Sequence, residues 1–184
     1  MNTDPPKKQE IIPAIKTLKN NKAPDQDNLN AELFKADPEL SARILQPLFT
    51  AVWEQERVPD DWTKGTIIKI HKKGPLSDCN NWHSVTLLST PSKILANIII
   101  QRISSAVDQQ LRQEQAGFRR SRGCADQLFT LRNIIEQCTE WQRQLYINFV
   151  DLQKAFDSIQ RQLVAHTSSL WCSPEDCPTY TELL

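Results

Sequence analysis

The chain has 184 residues, which is enough for one ordinary domain or for part of a larger one. Its 39% hydrophobic and 24% charged residues exclude wholesale disorder, and 22 basic residues balance 22 acidic ones, so any nucleic-acid-binding surface must be local. The five cysteines form no Cys-x-x-Cys pair, and no apolar run is long enough to cross a bilayer. We therefore expect an intracellular protein of the cytoplasm or nucleus with reduced thiols, neither secreted nor membrane-bound.

Three short helices are predicted in the first 60 residues, because apolar side chains recur there at helical spacing. The first runs from Lys8 to about Asn21, with Pro13 confining it or lying in its first turn. Asn28 is the candidate N-cap of the second helix, and Pro38 begins the third. We expect Leu29, Leu33 and Phe34 of the second helix to face inward; the apolar positions of the third are Ile44, Leu45, Leu48, Val52 and Trp53.

β-branched residues replace the helical pattern after Pro59, so residues 66–70 and 85–88 are predicted strands. The loop between them is rich in Gly, Pro, Asn and Asp, which predicts a long hairpin or finger. A helix is predicted from Pro91 to about Leu111, and another from 125 to 141 after a loop that contains glycine. The inward side chains expected of the first of these two helices are Ile94, Leu95, Ile98, Ile99 and Ile103.

The segment 145–151 is almost entirely apolar and ends on Asp151. This pattern predicts a buried strand that carries an active-site carboxylate at its carboxyl end. The alternative is an aspartate near the start of the next helix, where the helix dipole favours a negative charge. That helix is expected from about Gln153, and the pattern weakens after Arg161.

Seven short motifs follow one another along the chain: LKNNKAP (18–24), VPDDW (58–62), KKG (72–74), NNW (80–82), LLS (87–89), QAGFR (115–119) and FVDLQKAFDSI (149–159). In this order they resemble the reverse transcriptases of non-LTR, LINE-type retrotransposons. The resemblance extends from about residue 11 to residue 161. It implies an α/β chain that forms part of a right-hand polymerase, the fingers plus the first part of the palm, with mixed helices and a small antiparallel sheet. Residues 1–161 would then be a partial reverse transcriptase domain, and 162–184 a divergent, poorly ordered tail.

The activity that the resemblance implies is RNA-directed DNA synthesis, with an RNA template, a DNA primer, deoxynucleoside triphosphates and Mg²⁺. Nucleotidyl transfer uses two divalent ions about 3.5–4 Å apart, and Mg²⁺ prefers carboxylate oxygens. By resemblance, Asp151 is the catalytic metal ligand, Lys72 and Arg119 bind nucleotide phosphates, and Phe156 lies against the sugar of the incoming nucleotide. Phe156 has an alternative role as a core side chain. The residues that the resemblance assigns to template or nucleic-acid binding are Lys73, Gln115, Gly117, Phe118 and Arg120.

The metal site of the family is completed by two adjacent aspartates in a later hairpin. The only adjacent pair in this sequence, Asp60 and Asp61, lies upstream in the VPDDW motif. We therefore expect the chain alone to be inactive, since one carboxylate does not build a two-metal site. Two alternatives stay open. The first is a non-catalytic remnant that binds RNA or DNA through its basic loops, and the second is a protein-interaction module built on the helix around Ile94–Ile103.

Overall fold

The computed structural model describes residues 2–24 and 27–152, which form five α-helices and one two-stranded antiparallel sheet. These residues fall into two compact units, which we call the N-terminal unit (residues 2–102) and the C-terminal unit (residues 103–152). The helix predicted from Gln153, Phe156 and the tail 162–184 lie outside the described residues. The elements are α1 (Lys8–Thr17), α2 (Ala31–Ala36), α3 (Pro38–Gln55), β1 (Thr66–His71), β2 (Trp82–Leu87), α4 (Thr90–Gln110) and α5 (Cys124–Glu140).

The core lies in the N-terminal unit, where α1, α2, α3 and the first half of α4 bury one apolar face each. Pro38 begins α3 as predicted, and Asp37 is its N-cap, since the Asp37 carboxylate accepts a hydrogen bond of 3.0 Å from the Leu40 backbone N–H. Trp62 packs edge-on against Phe49, with 6.3 Å between the ring centroids, and so fixes the chain just before β1. The buried members of this cluster are Ile11, Ala14, Ile15, Phe34, Ala42, Leu45, Phe49, Val52, Ile94, Leu95, Ile98 and Ile99.

The second predicted helix differs from the structure in two respects. Its N-cap is Asn30 rather than Asn28, whose φ of 53° places it in a left-handed turn. Leu33 is 59% exposed, so the prediction that it faces inward was wrong. The reason is register: a helix of six residues has room for one inward face, and Ala31 and Phe34, three residues apart, occupy it.

The β1–β2 hairpin confirms the two predicted strands. The pairing is antiparallel and runs from Thr66 opposite Leu87 to His71 opposite Trp82. At the end next to the connecting loop, the His71 and Trp82 rings meet edge-to-face at 5.1 Å. The hairpin therefore carries the ten residues 72–81 outward on a paired two-stranded base.

The strand predicted at 145–151 was wrong. The structure has neither helix nor strand there, and Asp151 and its apolar neighbours are exposed, Phe149 and Val150 by 80% each. A strand needs a neighbour that satisfies its backbone groups, and β1 and β2 pair only with each other in the part of the chain that the structure describes. An apolar sequence by itself does not supply that neighbour.

Candidate nucleic-acid interface

Lys72 and Lys73 are the first two residues of the loop that connects β1 to β2, and both side chains are exposed. The Lys72 backbone N–H donates a hydrogen bond of 2.6 Å to the Asn81 carbonyl, which extends the strand pairing by one step into the loop. The backbone at Lys72 is thereby held in place, while the side chains of both lysines remain in solvent.

The rest of this loop is braced from within by its own polar side chains. The Asn81 amide donates to the Pro75 carbonyl at 3.0 Å, and the Trp82 indole N–H donates to the Leu76 carbonyl at 3.0 Å. Gly74 has a φ of 122°, and a Cβ atom there would lie 2.6 Å from the Asn81 side chain. Only glycine fits such a backbone next to such a neighbour. The NNW motif is thus the internal support of the KKG loop.

The hairpin carries a local excess of positive charge that the balanced composition hides. Four lysines and one aspartate lie between residues 64 and 87. Within residues 2–24 and 27–152, neither Lys72 nor Lys73 forms an ion pair with a carboxylate. Exposed cations on a braced loop suit contacts to a phosphate backbone, which add salt-sensitive affinity without reading sequence.

A second basic loop, residues 111–123, connects α4 to α5 in the C-terminal unit and holds four arginines and one glutamate. Its Arg119 side chain is only 7% exposed. Nε donates to the Asp108 carboxylate at 2.7 Å, and Nη1 donates to the Arg112 carbonyl at 2.7 Å and the Gln115 carbonyl at 3.3 Å. The role predicted for Arg119 at nucleotide phosphates stays a prediction.

The Asp108–Arg119 pair also shifts both pKa values. A hydrogen bond from Arg119 lowers the pKa of the Asp108 carboxyl below its ordinary value, and the same bond raises the pKa of the Arg119 guanidinium. Both groups therefore stay charged across the neutral range.

The loop brings together the other residues predicted to contact the template. Gln115, Gly117, Phe118 and Arg120 all have exposed side chains or, for Gly117, an exposed backbone. Phe118 is 98% exposed at a φ of 59°, and nothing lies within 4 Å of a Cβ atom built on Gly117. An exposed aromatic ring within two residues of an exposed cation, with open space at Gly117, suits stacking on bases and contact with phosphates.

Asp151 lies in the exposed segment after α5. In the described ranges, no group of three or more His, Cys, Asp or Glu side chains is placed to hold a metal ion. The carboxylate of Asp151 has the oxygen chemistry that Mg²⁺ prefers, but the described residues supply it with no fellow ligands. Its assignment as metal ligand therefore rests on the resemblance of its motif.

Sequence reasoning missed three residues that shape these loops. Asn81 and Trp82 were found only as part of a motif, and Asp108 was not singled out at all. The presence of Asn and Trp beside a glycine-bearing loop was a usable signal for loop bracing. Asp108 gave no signal, because its partner is 11 residues away across the end of a helix.

The apolar face of α4 bears on the interaction-module alternative. Ile94, Leu95, Ile98 and Ile99 are buried in the core of the N-terminal unit. That face is consequently covered by the chain itself, and the alternative loses the surface on which it depended. Among the described helices, none combines the length and the apolar character that a membrane span requires.

Comparison with known proteins supports the family resemblance that the ordered motifs indicate. The chain is 28% identical over 170 residues to the probable RNA-directed DNA polymerase from transposon BS of Drosophila melanogaster, covering 90% of this chain and 19% of that protein. It is 28% identical over 154 residues to the RNA-directed DNA polymerase from mobile element jockey of the same fly, covering 82% of this chain and 17% of that protein.

A third relative is the retrovirus-related Pol polyprotein from the type-1 retrotransposable element R2 of Popillia japonica. It is 28% identical over 107 residues, covering 58% of this chain and 15% of that protein. The chain thus spans about a fifth or less of the length of these relatives. Residues 70–173, more than half of the chain, match the family described as reverse transcriptase (RNA-dependent DNA polymerase). The chain belongs to the reverse transcriptase family, and its relatives are the polymerases of non-LTR retrotransposons.

Proposed function

We propose that the chain forms the fingers and the first part of the palm of a right-hand reverse transcriptase. In this proposal it holds an RNA template and a DNA primer through its two basic loops. The observation that carries the proposal is the pair of exposed lysines, Lys72 and Lys73, on a loop whose backbone is fixed by Asn81 and Trp82. A fixed backbone lowers the entropy cost of ordering these side chains on a ligand.

The two basic loops would contact the nucleic acid through different kinds of side chain. The long ammonium side chains of the hairpin suit the phosphates of a nucleotide or a template strand. The 111–123 loop adds the exposed ring of Phe118, the cation of Arg120 and the open approach to Gly117. Gln115 lies in the first half of the same loop and completes the proposed template contact. Phosphate contacts position a strand and stacking tolerates any base, so the proposed binding is independent of sequence.

The family implies a divalent metal cofactor, and we propose Mg²⁺ with Asp151 as one of its ligands. When bound, such ions stabilise the charge that develops on the transferred phosphate. Two ions need about three carboxylates between them, and Asp151 brings one. The expected property of the isolated 184-residue chain is therefore nucleic-acid binding without polymerisation. Phe156, proposed to lie against the nucleotide sugar, belongs to the same motif as Asp151.

Fluorescence anisotropy with a labelled single-stranded RNA tests the binding proposal at a series of salt concentrations. Each lost contact to a single strand lowers the steepness of log K against log salt by about 0.7. Changing Lys72 and Lys73 together to Gln should therefore reduce the slope by about 1.4 and the affinity about tenfold near physiological salt.

The matched control is the double change of Lys8 and Lys16 to Gln. These two lysines are exposed on α1, so the control removes the same charge from the same unit without touching a basic loop. It should leave most of the slope in place. Equal effects of the two double variants would mean that binding follows net charge, and the proposal of a defined site would then be wrong.

A second candidate is the non-catalytic remnant that binds nucleic acid through these loops. Primer extension on an RNA template separates the two candidates. Incorporation that Asp151→Asn abolishes would show that the chain polymerises and would overturn the expectation of inactivity. Binding without incorporation is the result expected for this chain, and restored incorporation with the remaining part of a relative's polymerase would favour the reverse transcriptase over the remnant.

A further inference from the structure

The hydrogen bonds of Arg119 point back to the end of the preceding helix. Besides its bond to the Asp108 carboxylate, the guanidinium donates to the carbonyls of Asp108 at 3.4 Å, Arg112 at 2.7 Å and Gln115 at 3.3 Å. All three of its nitrogen atoms are used in this way. The last carbonyls of a helix have no partner within the helix, and a cation there is favoured by the helix dipole. Arg119 fills both needs for α4.

These contacts also define the shape of the first half of the loop. The backbone turns between Arg112 and Gln115, where the Gln115 N–H donates to the Arg112 carbonyl at 3.1 Å. Nη1 of Arg119 bonds to the carbonyls at both ends of that turn. The Arg122 guanidinium likewise points inward, with Nη1 donating to the Gln113 carbonyl at 3.5 Å. Two of the loop's arginines are thus part of its internal frame.

Arg120 is different. Its side chain is exposed, and it forms no hydrogen bond or ion pair with any other residue in the ranges 2–24 and 27–152. A guanidinium that is not committed to the fold can form paired hydrogen bonds to a phosphate, whereas one that is committed must first break its own. Among the four arginines of the loop, Arg112 and Arg120 meet this condition in the part of the chain that the structure describes. Arg120 is the one that lies within two residues of the exposed Phe118 ring, so it is the better placed of the two for the proposed template contact.

We propose that Arg119 is a positioning residue, held by Asp108, that builds the 111–123 loop, and that the phosphate contact of this loop is made by Arg120. This inference rests on the proposed function, because the ligand is the RNA or primer strand proposed above. It departs from the role that the family resemblance gives to Arg119. It also assigns a function to Asp108, an acidic residue whose charge by itself opposes nucleic-acid binding.

Asp108→Asn distinguishes the two possible roles of Arg119, phosphate ligand or positioning residue, by whether it raises or lowers the affinity for RNA. If Arg119 were a phosphate ligand held back by Asp108, removing the aspartate charge would release the guanidinium and strengthen RNA binding. If Arg119 positions the loop, the weaker bond to a neutral amide loosens the loop, and binding weakens although a negative charge has been lost. The loss of a negative charge, considered alone, would strengthen RNA binding.

The experiment measures the affinity of the full chain for single-stranded RNA against salt, for Asp108→Asn, Arg119→Gln, Arg120→Gln and the double variant of both arginines. We expect Arg120→Gln to reduce the slope by about 0.7 and the affinity about fourfold near physiological salt. Arg119→Gln and Asp108→Asn should weaken binding in the same direction. The double variant should bind no more weakly than Arg120→Gln, since both changes remove the same contact.

Glu136→Gln and Arg132→Gln are the matched controls. These residues form an exposed ion pair on α5, with Arg132 78% and Glu136 60% exposed, so they lose the same charges in the same unit. Amide hydrogen exchange across residues 111–118 supplies a readout of loop order that does not need a ligand. Protection should fall in Asp108→Asn and Arg119→Gln and stay unchanged in Arg120→Gln and in the two controls.

Several results would overturn the inference. Tighter RNA binding by Asp108→Asn, or additive losses in the double variant, would make Arg119 a direct ligand. An unchanged salt slope in Arg119→Gln with reduced protection would make it a purely structural residue. If the unchanged chain shows no salt-sensitive binding at all, the proposed function fails and the contact assigned to Arg120 fails with it. In that case the hydrogen-exchange data still test, without any ligand, whether the pairing of Arg119 with Asp108 orders the loop.

Discussion

The two units of the molecule are held in different ways. The N-terminal unit buries a continuous apolar cluster from four helices, whereas no apolar side chain between residues 103 and 152 is buried. In the C-terminal unit, α5 leaves Leu128 and Phe129 each 66% exposed, and the order of the preceding loop comes from hydrogen bonds such as those of Arg119. Packing energy therefore holds the helices from which the basic hairpin extends, whereas hydrogen bonds hold both basic loops. This difference teaches that a match to a family can extend over a region that has no core of its own.

The largest expected effect contrasts two phenylalanines. Phe49 is fully buried in the N-terminal unit, and Phe129 on α5 is 66% exposed. Phe49→Ala should lower the free energy of unfolding by about 3–5 kcal/mol, because the change removes buried apolar surface and leaves a cavity. Phe129→Ala should change it by no more than about 0.5 kcal/mol. Urea denaturation of both variants measures the contrast, and similar losses for the two would show that α5 has a packed face.

Ion pairs give the second contrast. Glu10 accepts hydrogen bonds of 2.7 Å and 2.6 Å from Arg102, whose side chain is 6% exposed and also lies over the Trp53 ring at 5.0 Å. Glu10→Gln should cost about 1.5–3 kcal/mol, since it leaves a shielded guanidinium without its charged partner. Glu136→Gln breaks the exposed pair on α5 and should cost at most about 0.5 kcal/mol. Thermal and urea denaturation should rank the two variants in this order; the reverse order would place the stabilising charges in the C-terminal unit.

Two loop glycines give a third contrast. Gly74→Ala should destabilise the chain by about 1–3 kcal/mol, because its φ of 122° strains an L-residue and the new methyl group meets Asn81 at 2.6 Å. Gly117 has no positive φ and open space around it, so Gly117→Ala should be neutral or stabilise by about 0.4–1 kcal/mol. Melting temperatures of the two variants test this, and RNA affinity should fall with Gly74→Ala because the Lys72–Lys73 backbone moves. A destabilising effect of Gly117→Ala would mean that the second loop is as tightly built as the first.

The sequence predicts best where local pattern and tertiary partner agree. The start of α3 at Pro38, the hairpin and four of the five inward positions of α4 are confirmed, because capping, β-branching and apolar spacing each determine the local structure. The fifth predicted position, Ile103, is only half-buried. Leu33 and the segment 145–151 were wrong because burial there depends on which other element is present to cover them. At the site, the sequence identified Lys72, Lys73 and Arg120 as basic loop residues. It could not predict that Asp108 and Arg119 pair, since no local pattern encodes a contact across the end of a helix.

The smallest expected effect is a dependence of stability on pH, and it sharpens the same comparison. A hydrogen bond from Arg102 is the main cause that lowers the pKa of Glu10 below its ordinary value of 4.5. A carboxyl group with a lowered pKa in the folded state contributes stability that is fully present above the ordinary value and is lost as pH falls through the lowered one. The difference in unfolding free energy between the unchanged chain and Glu10→Gln should thus be constant from neutral pH to about 5 and shrink below 4.5. Asp4, Glu32 and Asp108 also have lowered pKa values, so the unchanged chain alone would not isolate Glu10. The corresponding difference for Glu136→Gln should stay near zero throughout, and a difference for Glu10→Gln that grows on acidification would refute the stabilising role of its charge.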